Sequence, residues 1–165
     1  VLCTCLRIIH VIVRFMDKPV LAALQAVFTL LSDISAAQLG REDILEEVLT
    51  IQGSLLATVP DFVKPHFGQL VTFVVQSFEM THLPCTLDYV TTAVESYGSQ
   101  QEDSFNHLLA HVSQHMTQYV TNQKRPSECP MLIRAFFDMT SRYTLFCPAA
   151  LVDCSEFQTV FGLAV

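Results

Sequence analysis

The sequence predicts an all-α fold, an α-solenoid of antiparallel helix pairs with right-handed stacking. Helix-opening signals recur at Pro19, Asp61, Ser104 and Pro148, which lie 42, 43 and 44 residues apart. Each signal introduces an apolar stripe of helical period, and a second stripe follows before the next signal, so the repeating unit is a helix pair of about 40 residues. No segment shows the sustained alternation or the hairpin dipeptides that are typical of β-strands.

The recurring signals divide the chain of 165 residues into repeats that together form one continuous array. Because such units bury their apolar stripes only between neighbours, at least about three units are expected for stability. Neither end shows the polar capping helix that terminal repeats normally carry, so both ends are expected to lie within a longer array. We predict a half repeat, three complete repeats and a second half repeat, with bounds 1–18, 19–60, 61–103, 104–147 and 148–165.

The first half of the chain predicts four helices. Residues 1–16 and 19–36 carry apolar side chains at helical spacing, and Gly40 supplies a stop after the second stripe. A third stripe ends at Pro60, and a fourth covers residues 63–78. Each stripe is wide enough to contact both the paired helix and the neighbouring repeat.

The second half continues the same pattern. A short helix ends at Gly98, and its partner carries a stripe over residues 105–119. Residues 122–128 are polar and contain Pro126, which predicts an exposed linker. A helix over residues 132–146 follows, and one further helix carries Ala150, Cys154, Phe157 and Phe161 on its apolar stripe.

Composition and charge exclude several classes of protein. The uncharged apolar stretches Pro19–Ser32 and Pro65–Phe78 have 14 residues each, whereas a membrane-spanning helix needs about 20 apolar residues. The formal net charge of −7 disfavours nucleic acid, because phosphate binding requires clustered Lys and Arg. An acidic solenoid instead attracts basic segments of other proteins, so we expect protein partners and neither membrane nor direct nucleic-acid binding.

The cysteines show neither a CxxC pair nor the density of a small secreted scaffold, which indicates a reducing compartment. Cys5 and Cys154 fall on or beside apolar stripes and are expected to act as small hydrophobic residues. Catalytic motifs are missing from the sequence: there is no GxSxG turn and no phosphate-binding glycine loop. We therefore predict a protein that is not an enzyme and that uses no cofactor.

A histidine stripe is the sharpest metal-like pattern. His107, His111 and His115 stand at i, i+4 and i+8 on one predicted helix, a spacing that lets imidazoles approach one ion. No HExxH glutamate or cysteine accompanies them, and the stripe drifts along the flank of the apolar face. Surface or boundary histidines are the interpretation that we favour, and no metal is predicted.

Three segments resemble the importin-beta superfamily of nuclear transport receptors, and within it the importin-13 and transportin-SR branch. They are ILEEVLTIQGSLLATVPDFVKPHFGQLVTFV (Ile44–Val74), PCTLDYVTTAVESYG (Pro84–Gly98) and LIRAFFDMTSRYTLFCPAALV (Leu132–Val152). The resemblance covers about Leu24 to Val152 and implies HEAT repeats. It places the starts of inner helices at Val1, Glu42, Pro84 and Pro130, and those of outer helices at Pro19, Asp61, Ser104 and Pro148.

The resemblance also implies a function. The family carries folded protein cargo through the nuclear pore, uses the GTPase Ran to control loading and release, contacts nucleoporins and shuttles between cytoplasm and nucleus. Transportin-SR-like receptors hold phosphorylated cargo with an arginine-rich inner helix. Of the three positions here that match those arginines, only Arg142 is an arginine, while Asp138 and Phe146 occupy the other two. Basic or folded cargo is therefore expected rather than phosphorylated cargo.

Polar positions on the inner helices are the candidates for partner contact, although each could equally belong to a solvated helix face. The expected function is a nuclear transport receptor segment that binds protein cargo under Ran control. The alternative is a HEAT or armadillo scaffold or adaptor subunit unrelated to nuclear transport. The candidate residues are Glu46, Asp88, Glu95, Asp138 and Arg142.

Overall fold

The computed structural model describes residues 1–15, 21–38, 40–122 and 126–164. Within these ranges the chain is helical and contains no strand, which confirms the predicted all-α class. Three predicted features lie outside the described residues: the opening signal at Pro19, the repeat boundary beside it, and residues 123–125 of the linker.

Ten α-helices and two short 3-10 turns, at Lys64–His66 and Pro126–Glu128, form the described parts of the chain. The helices are α1 Leu2–Arg14, α2 Leu21–Gln38, α3 Glu42–Thr58, α4 Pro60–Val63, α5 Phe67–Thr81, α6 Pro84–Tyr97, α7 Glu102–Asn122, α8 Pro130–Phe146, α9 Pro148–Asp153 and α10 Ser155–Ala164.

Prolines begin four of these helices. Pro60, Pro84, Pro130 and Pro148 are the first residues of α4, α6, α8 and α9. The first N–H groups of a helix have no intrahelical acceptor, so a residue without an N–H loses nothing there, and its fixed φ is already helical. These prolines therefore define where each helix starts.

Two predicted helices are each divided. The helix predicted for the fourth stripe is divided into α4, the 3-10 turn and α5. Pro65 causes the division, because it lacks the backbone N–H and its ring is incompatible with a continuous α-helix. The last stripe is broken at Cys154, where the backbone is extended with φ −89° and ψ 99°. The Cys154 Sγ accepts the N–H of Phe157 at 3.3 Å and so occupies the place of a helix cap. The prediction of one continuous helix in each place was wrong.

The helices pack in two rows. In the first row, α1 packs on α3, α3 on α6 and α6 on α8. In the second row, α5 packs on α7, and α7 contacts both α9 and α10. Contacts of α5 with α6 and of α8 with α9 join the two rows, and α2 packs on α3. Helices in the middle of the first row consequently have neighbours on several sides.

The core follows the boundary between the rows as one connected cluster. In α3 and α6 the buried residues cover a wide stripe, which includes the fully buried Val48, Leu56, Leu87 and Val94. Complete burial of such a side chain stabilises the fold by about 1.5–3 kcal/mol. Cys154 is buried as predicted, whereas Cys5 is exposed, so that part of the cysteine prediction was wrong.

A tyrosine contact recurs along the rows. The Tyr97 hydroxyl of α6 donates to the Pro60 carbonyl at the start of α4. One helix pair further on, the Tyr143 hydroxyl of α8 donates to the Phe105 carbonyl of α7 at 3.2 Å. In each case a first-row tyrosine donates to a backbone carbonyl that precedes it in the chain, by 37 and 38 positions respectively. The same polar contact thus recurs at two positions along the first row.

Among the helices of the described residues, none has both the length and the apolar character of a membrane span.

Candidate partner-binding site

The five candidate residues lie on three consecutive first-row helices, and all five are exposed. Glu46 belongs to α3, Asp88 and Glu95 to α6, and Asp138 and Arg142 to α8. Arg134 of α8 lies on the same surface because it forms an ion pair with Asp138. We call this surface the acidic face and define it by Glu46, Asp88, Glu95, Arg134, Asp138 and Arg142.

Helical periodicity accounts for this placement. On α6, Asp88 and Glu95 are seven positions apart, close to two turns, while Leu87 and Val94 beside them are buried. On α8, Arg134, Asp138 and Arg142 follow at i, i+4 and i+8. One side of each helix therefore supplies the core and the other supplies the acidic face.

Two grooves cross the acidic face. The groove between α6 and α8 has a volume of about 360 Å³ and is lined by Asp88, Thr91, Asp138, Ser141 and Arg142. The groove between α3 and α6 has a volume of about 410 Å³, and its polar lining includes Glu46 and Ser54. Asp88 lines both grooves. Its side chain therefore connects the polar linings of the two grooves.

Ion pairs neutralise part of this surface. Arg142 Nε lies 3.0 Å from Glu95 Oε1 and joins α8 to α6. Arg134 Nε lies 3.4 Å from Asp138 Oδ2 within α8. In the described part of the chain, the carboxylates of Glu46 and Asp88 form no ion pair. The acidic face thus keeps negative charge in the grooves that a cationic group of a partner could neutralise.

Burial and neighbouring charges both shift the pKa values of groups that line the grooves. Partial burial raises the pKa of Asp88, the negative charge of Asp138 raises it further, and Arg134 opposes the change. Burial also raises the pKa of the Cys85 thiol to about 11, with additional contributions from the charges of Glu46 and Asp88. A positive group entering the grooves would relieve this repulsion between carboxylates.

Polar contacts extend the same side of the first row to α1. The Arg7 guanidinium pairs with Glu47 of α3. His10 Nε2 lies 2.9 Å from the Ser54 hydroxyl, also on α3. These contacts tie α1 to α3, and Ser54 lines the groove between α3 and α6.

The histidine stripe meets an acidic residue that sequence reasoning did not find. Glu79 of α5 places Oε1 2.7 Å from His111 Nε2 and 3.1 Å from His115 Nε2, both on α7. His107, one turn earlier, is exposed and does not belong to this cluster. Glu79 precedes His111 by 32 positions, so only the packing of α5 on α7 brings the three side chains together.

A cavity between α2, α3 and α5 was also not predicted. Its volume is about 550 Å³, and Phe28, Leu70 and Phe73 line it together with polar side chains such as Gln52. The Gln52 Oε1 is buried and has no hydrogen-bond partner among the described residues. The sequence gives no sign of this cavity, because its lining comes from three helices.

The described residues thus form an all-helical protein with a mixed, mainly acidic surface on three helices of the first row. Comparison with known protein families, curated proteins and solved structures finds no match to this chain.

Proposed function

We propose that this chain is a segment of a nuclear transport receptor, which binds protein cargo and carries it through the nuclear pore under Ran control. In this proposal the helix pairs stack as HEAT repeats into a right-handed α-solenoid. The resemblance of residues 24–152 to the importin-beta superfamily supports it. So do the two-row packing and the tyrosine contact that recurs one helix pair along.

The acidic face is the single observation that carries the cargo-binding part of the proposal. It runs over three consecutive helices, and Asp88 is shared by two neighbouring grooves. A basic protein segment lying across α3, α6 and α8 would place cations beside Glu46, Asp88 and Asp138. Such complementarity contributes mainly to specificity and to the association rate. Basic or folded cargo is the partner that this charge favours.

In the proposed mechanism, the packed row of helices changes its shape when a partner binds. The mechanism includes no catalytic step and no cofactor. Helices held mainly by contacts with neighbours can change the pitch of an array through small shifts at each interface. Cargo on the acidic face would favour one pitch, and Ran bound elsewhere on the complete receptor would favour another. Nucleoporin contacts and shuttling between cytoplasm and nucleus likewise belong to the complete receptor.

The alternative is a HEAT or armadillo scaffold or adaptor subunit without a role in transport. An acidic face on a helical row would serve such a scaffold equally well. The two functions differ in their response to Ran, because only a transport receptor couples partner binding to the nucleotide that Ran carries.

The test uses the full-length protein, immobilised and loaded with the basic proteins that it retains. Ran charged with a non-hydrolysable GTP analogue is added to one sample and Ran charged with GDP to a matched control. We expect the GTP form to release the cargo and the GDP form to leave it bound. Equal retention with both forms would contradict the transport function and favour the scaffold.

A further inference from the structure

We propose that Glu79, His111 and His115 form a binding site for one zinc ion, which would bridge α5 and α7. The ligand atoms of these three side chains all lie within 4.8 Å of one another. This site is separate from the acidic face, because it belongs to the second row of helices.

The spacing between the ligand atoms is close to that of a zinc site. With zinc at about 2.0–2.2 Å from nitrogen and oxygen ligands, tetrahedral geometry places neighbouring ligand atoms about 3.3 Å apart. Glu79 Oε1 lies 2.7 Å from His111 Nε2 and 3.1 Å from His115 Nε2. Side-chain rotations that move these atoms by less than about 1 Å would therefore create the coordination geometry.

The ligand types favour zinc over harder cations. Two neutral imidazoles and one carboxylate are a set found in zinc sites with three protein ligands, where water completes the coordination. Calcium and magnesium prefer oxygen ligands alone, so two of the three side chains here would serve them poorly. The histidines stand at i and i+4 on α7, and the tilted packing of their rings, with centroids 4.6 Å apart, keeps both on one face.

The packing around the cluster fixes the end of α5 against α7. His82 follows α5 in the left-handed conformation, with φ 51°, and its N–H donates to the Phe78 carbonyl at 2.9 Å. Its ring stacks on Tyr119 of α7 with the centroids 4.2 Å apart. Glu79 is thereby held in the last turn of α5 opposite the two histidines. This preorganisation reduces the ordering that metal binding would require.

Access to the site is open. The side chains of His111, His115 and Glu79 are 32%, 25% and 38% exposed. An ion can therefore enter from solvent, and water can occupy the remaining position. The bound ion would replace hydrogen bonds between α5 and α7 with bonds to a shared metal, and would raise the stability of the protein by binding only the folded state.

The experiment measures zinc binding to the purified, metal-free protein by isothermal titration calorimetry, together with thermal unfolding in the presence of zinc or EDTA. We expect one zinc per chain and a higher Tm with zinc. His111→Ala and His115→Ala each remove a ligand, and we expect each to weaken binding more than about 100-fold, beyond the usual effect of losing an outer partner. His107→Ala is the matched control, because this exposed histidine lies one turn earlier on α7. The zinc affinity of this variant should stay within about twofold of that of the original protein.

Two further measurements decide the proposal if a histidine variant fails to fold: zinc binding to Glu79→Gln, and the absorption spectrum of the protein with cobalt in place of zinc. Glu79→Gln retains hydrogen-bonding capacity at an exposed position, and we expect about tenfold weaker binding or more. The cobalt-substituted protein should show tetrahedral absorption without a sulfur-to-cobalt charge-transfer band. Sub-stoichiometric zinc, unchanged affinity in the variants, or that sulfur band would overturn the proposal. Each of these failures would leave the partner-binding proposal for the acidic face intact.

Discussion

Asp88 is the residue on which both grooves of the acidic face depend. Its exposed position and polar surroundings follow from helical periodicity, which is why the sequence could place it among the candidates. Its special position could not be predicted, because the walls of the two grooves come from α3, α6 and α8, which are far apart in the chain. The same reason hid Glu79 beside His111 and His115.

Replacing Asp88 tests the electrostatics of the grooves. Partial burial and the charge of Asp138 raise the pKa of Asp88 in the folded protein. The folded protein therefore binds the proton of Asp88 more tightly than the unfolded chain does. This difference stabilises the fold fully at pH values below about 3.9, the pKa of Asp in the unfolded chain, and the stabilisation is lost as the pH rises through the pKa of Asp88 in the folded protein. We expect Asp88→Asn to be more stable than the original protein at pH 7.

Urea unfolding at several pH values measures this effect. The advantage of Asp88→Asn should shrink as the pH falls toward about 4, the range in which unfolded Asp titrates. Asp103→Asn is the control, because Asp103 lies in the first turn of α7, where a negative charge is favourable. A gain of stability in both variants, or in neither, would contradict the proposed repulsion in the grooves.

Cys85 gives a second prediction at this scale. Burial and the neighbouring charges of Glu46 and Asp88 raise the pKa of its thiol to about 11, so it is protonated at neutral pH. Cys5, by contrast, is exposed. We expect iodoacetamide at pH 7.5 to modify Cys5 well before Cys85, as followed by peptide mass spectrometry. Faster modification of Cys85 would show that its groove is more open or less negative than the structure indicates.

The positions where helices begin or break could be predicted from the sequence only where a local residue type determines them. Prolines at the first positions of α4, α6, α8 and α9 act locally, and the predicted helices begin within a few residues of them. The interruption at Pro65 is also a local effect that a continuous apolar stripe concealed. The extended backbone at Cys154 differs, because nothing in the residue type announces it and its thiol acts as the cap.

Gly98 has two roles, since it follows the end of α6 and also lies in close contact with the end of α8. The sequence predicts a helix stop there, and α6 indeed ends at Tyr97. The structure adds a second requirement, since a Cβ on Gly98 would lie 2.6 Å from the Phe146 carbonyl oxygen at the end of α8. The absence of a side chain lets α6 and α8 approach closely at this end.

Gly98→Ala should therefore destabilise the protein, by about 1–3 kcal/mol, because the backbone of α8 must move to accept the methyl group. Gly68→Ala is the matched control. Among the described residues, nothing lies within 4 Å of a Cβ at Gly68 in α5, so alanine there should stabilise the helix by about 0.5–1 kcal/mol. Chemical denaturation of both variants measures the difference. Equal effects of the two substitutions would contradict the close contact between α6 and α8.

At the scale of the whole molecule, the period of 42 to 44 residues predicts helix pairs, and the observed packing in two rows is compatible with that order. The curvature and handedness of an array depend on small rotations between neighbouring pairs. The apolar pattern carries no information about those rotations, so the solenoid remains part of the proposal. The candidate residues Glu46, Asp88 and Asp138 share a surface because their helices occupy consecutive places in one row.

The central claim is that the acidic face binds a basic protein partner. The most direct measurement is the affinity of the full-length protein for a purified basic cargo, compared between Asp88→Asn/Asp138→Asn and the matched variant Glu102→Gln/Asp103→Asn on α7. Both variants remove two negative charges. We expect the first to weaken binding about tenfold, equivalent to about 1.4 kcal/mol, with a reduced dependence on salt, and the second to leave it unchanged. Equal losses of affinity in the two variants, or no loss in the first, would contradict the claim.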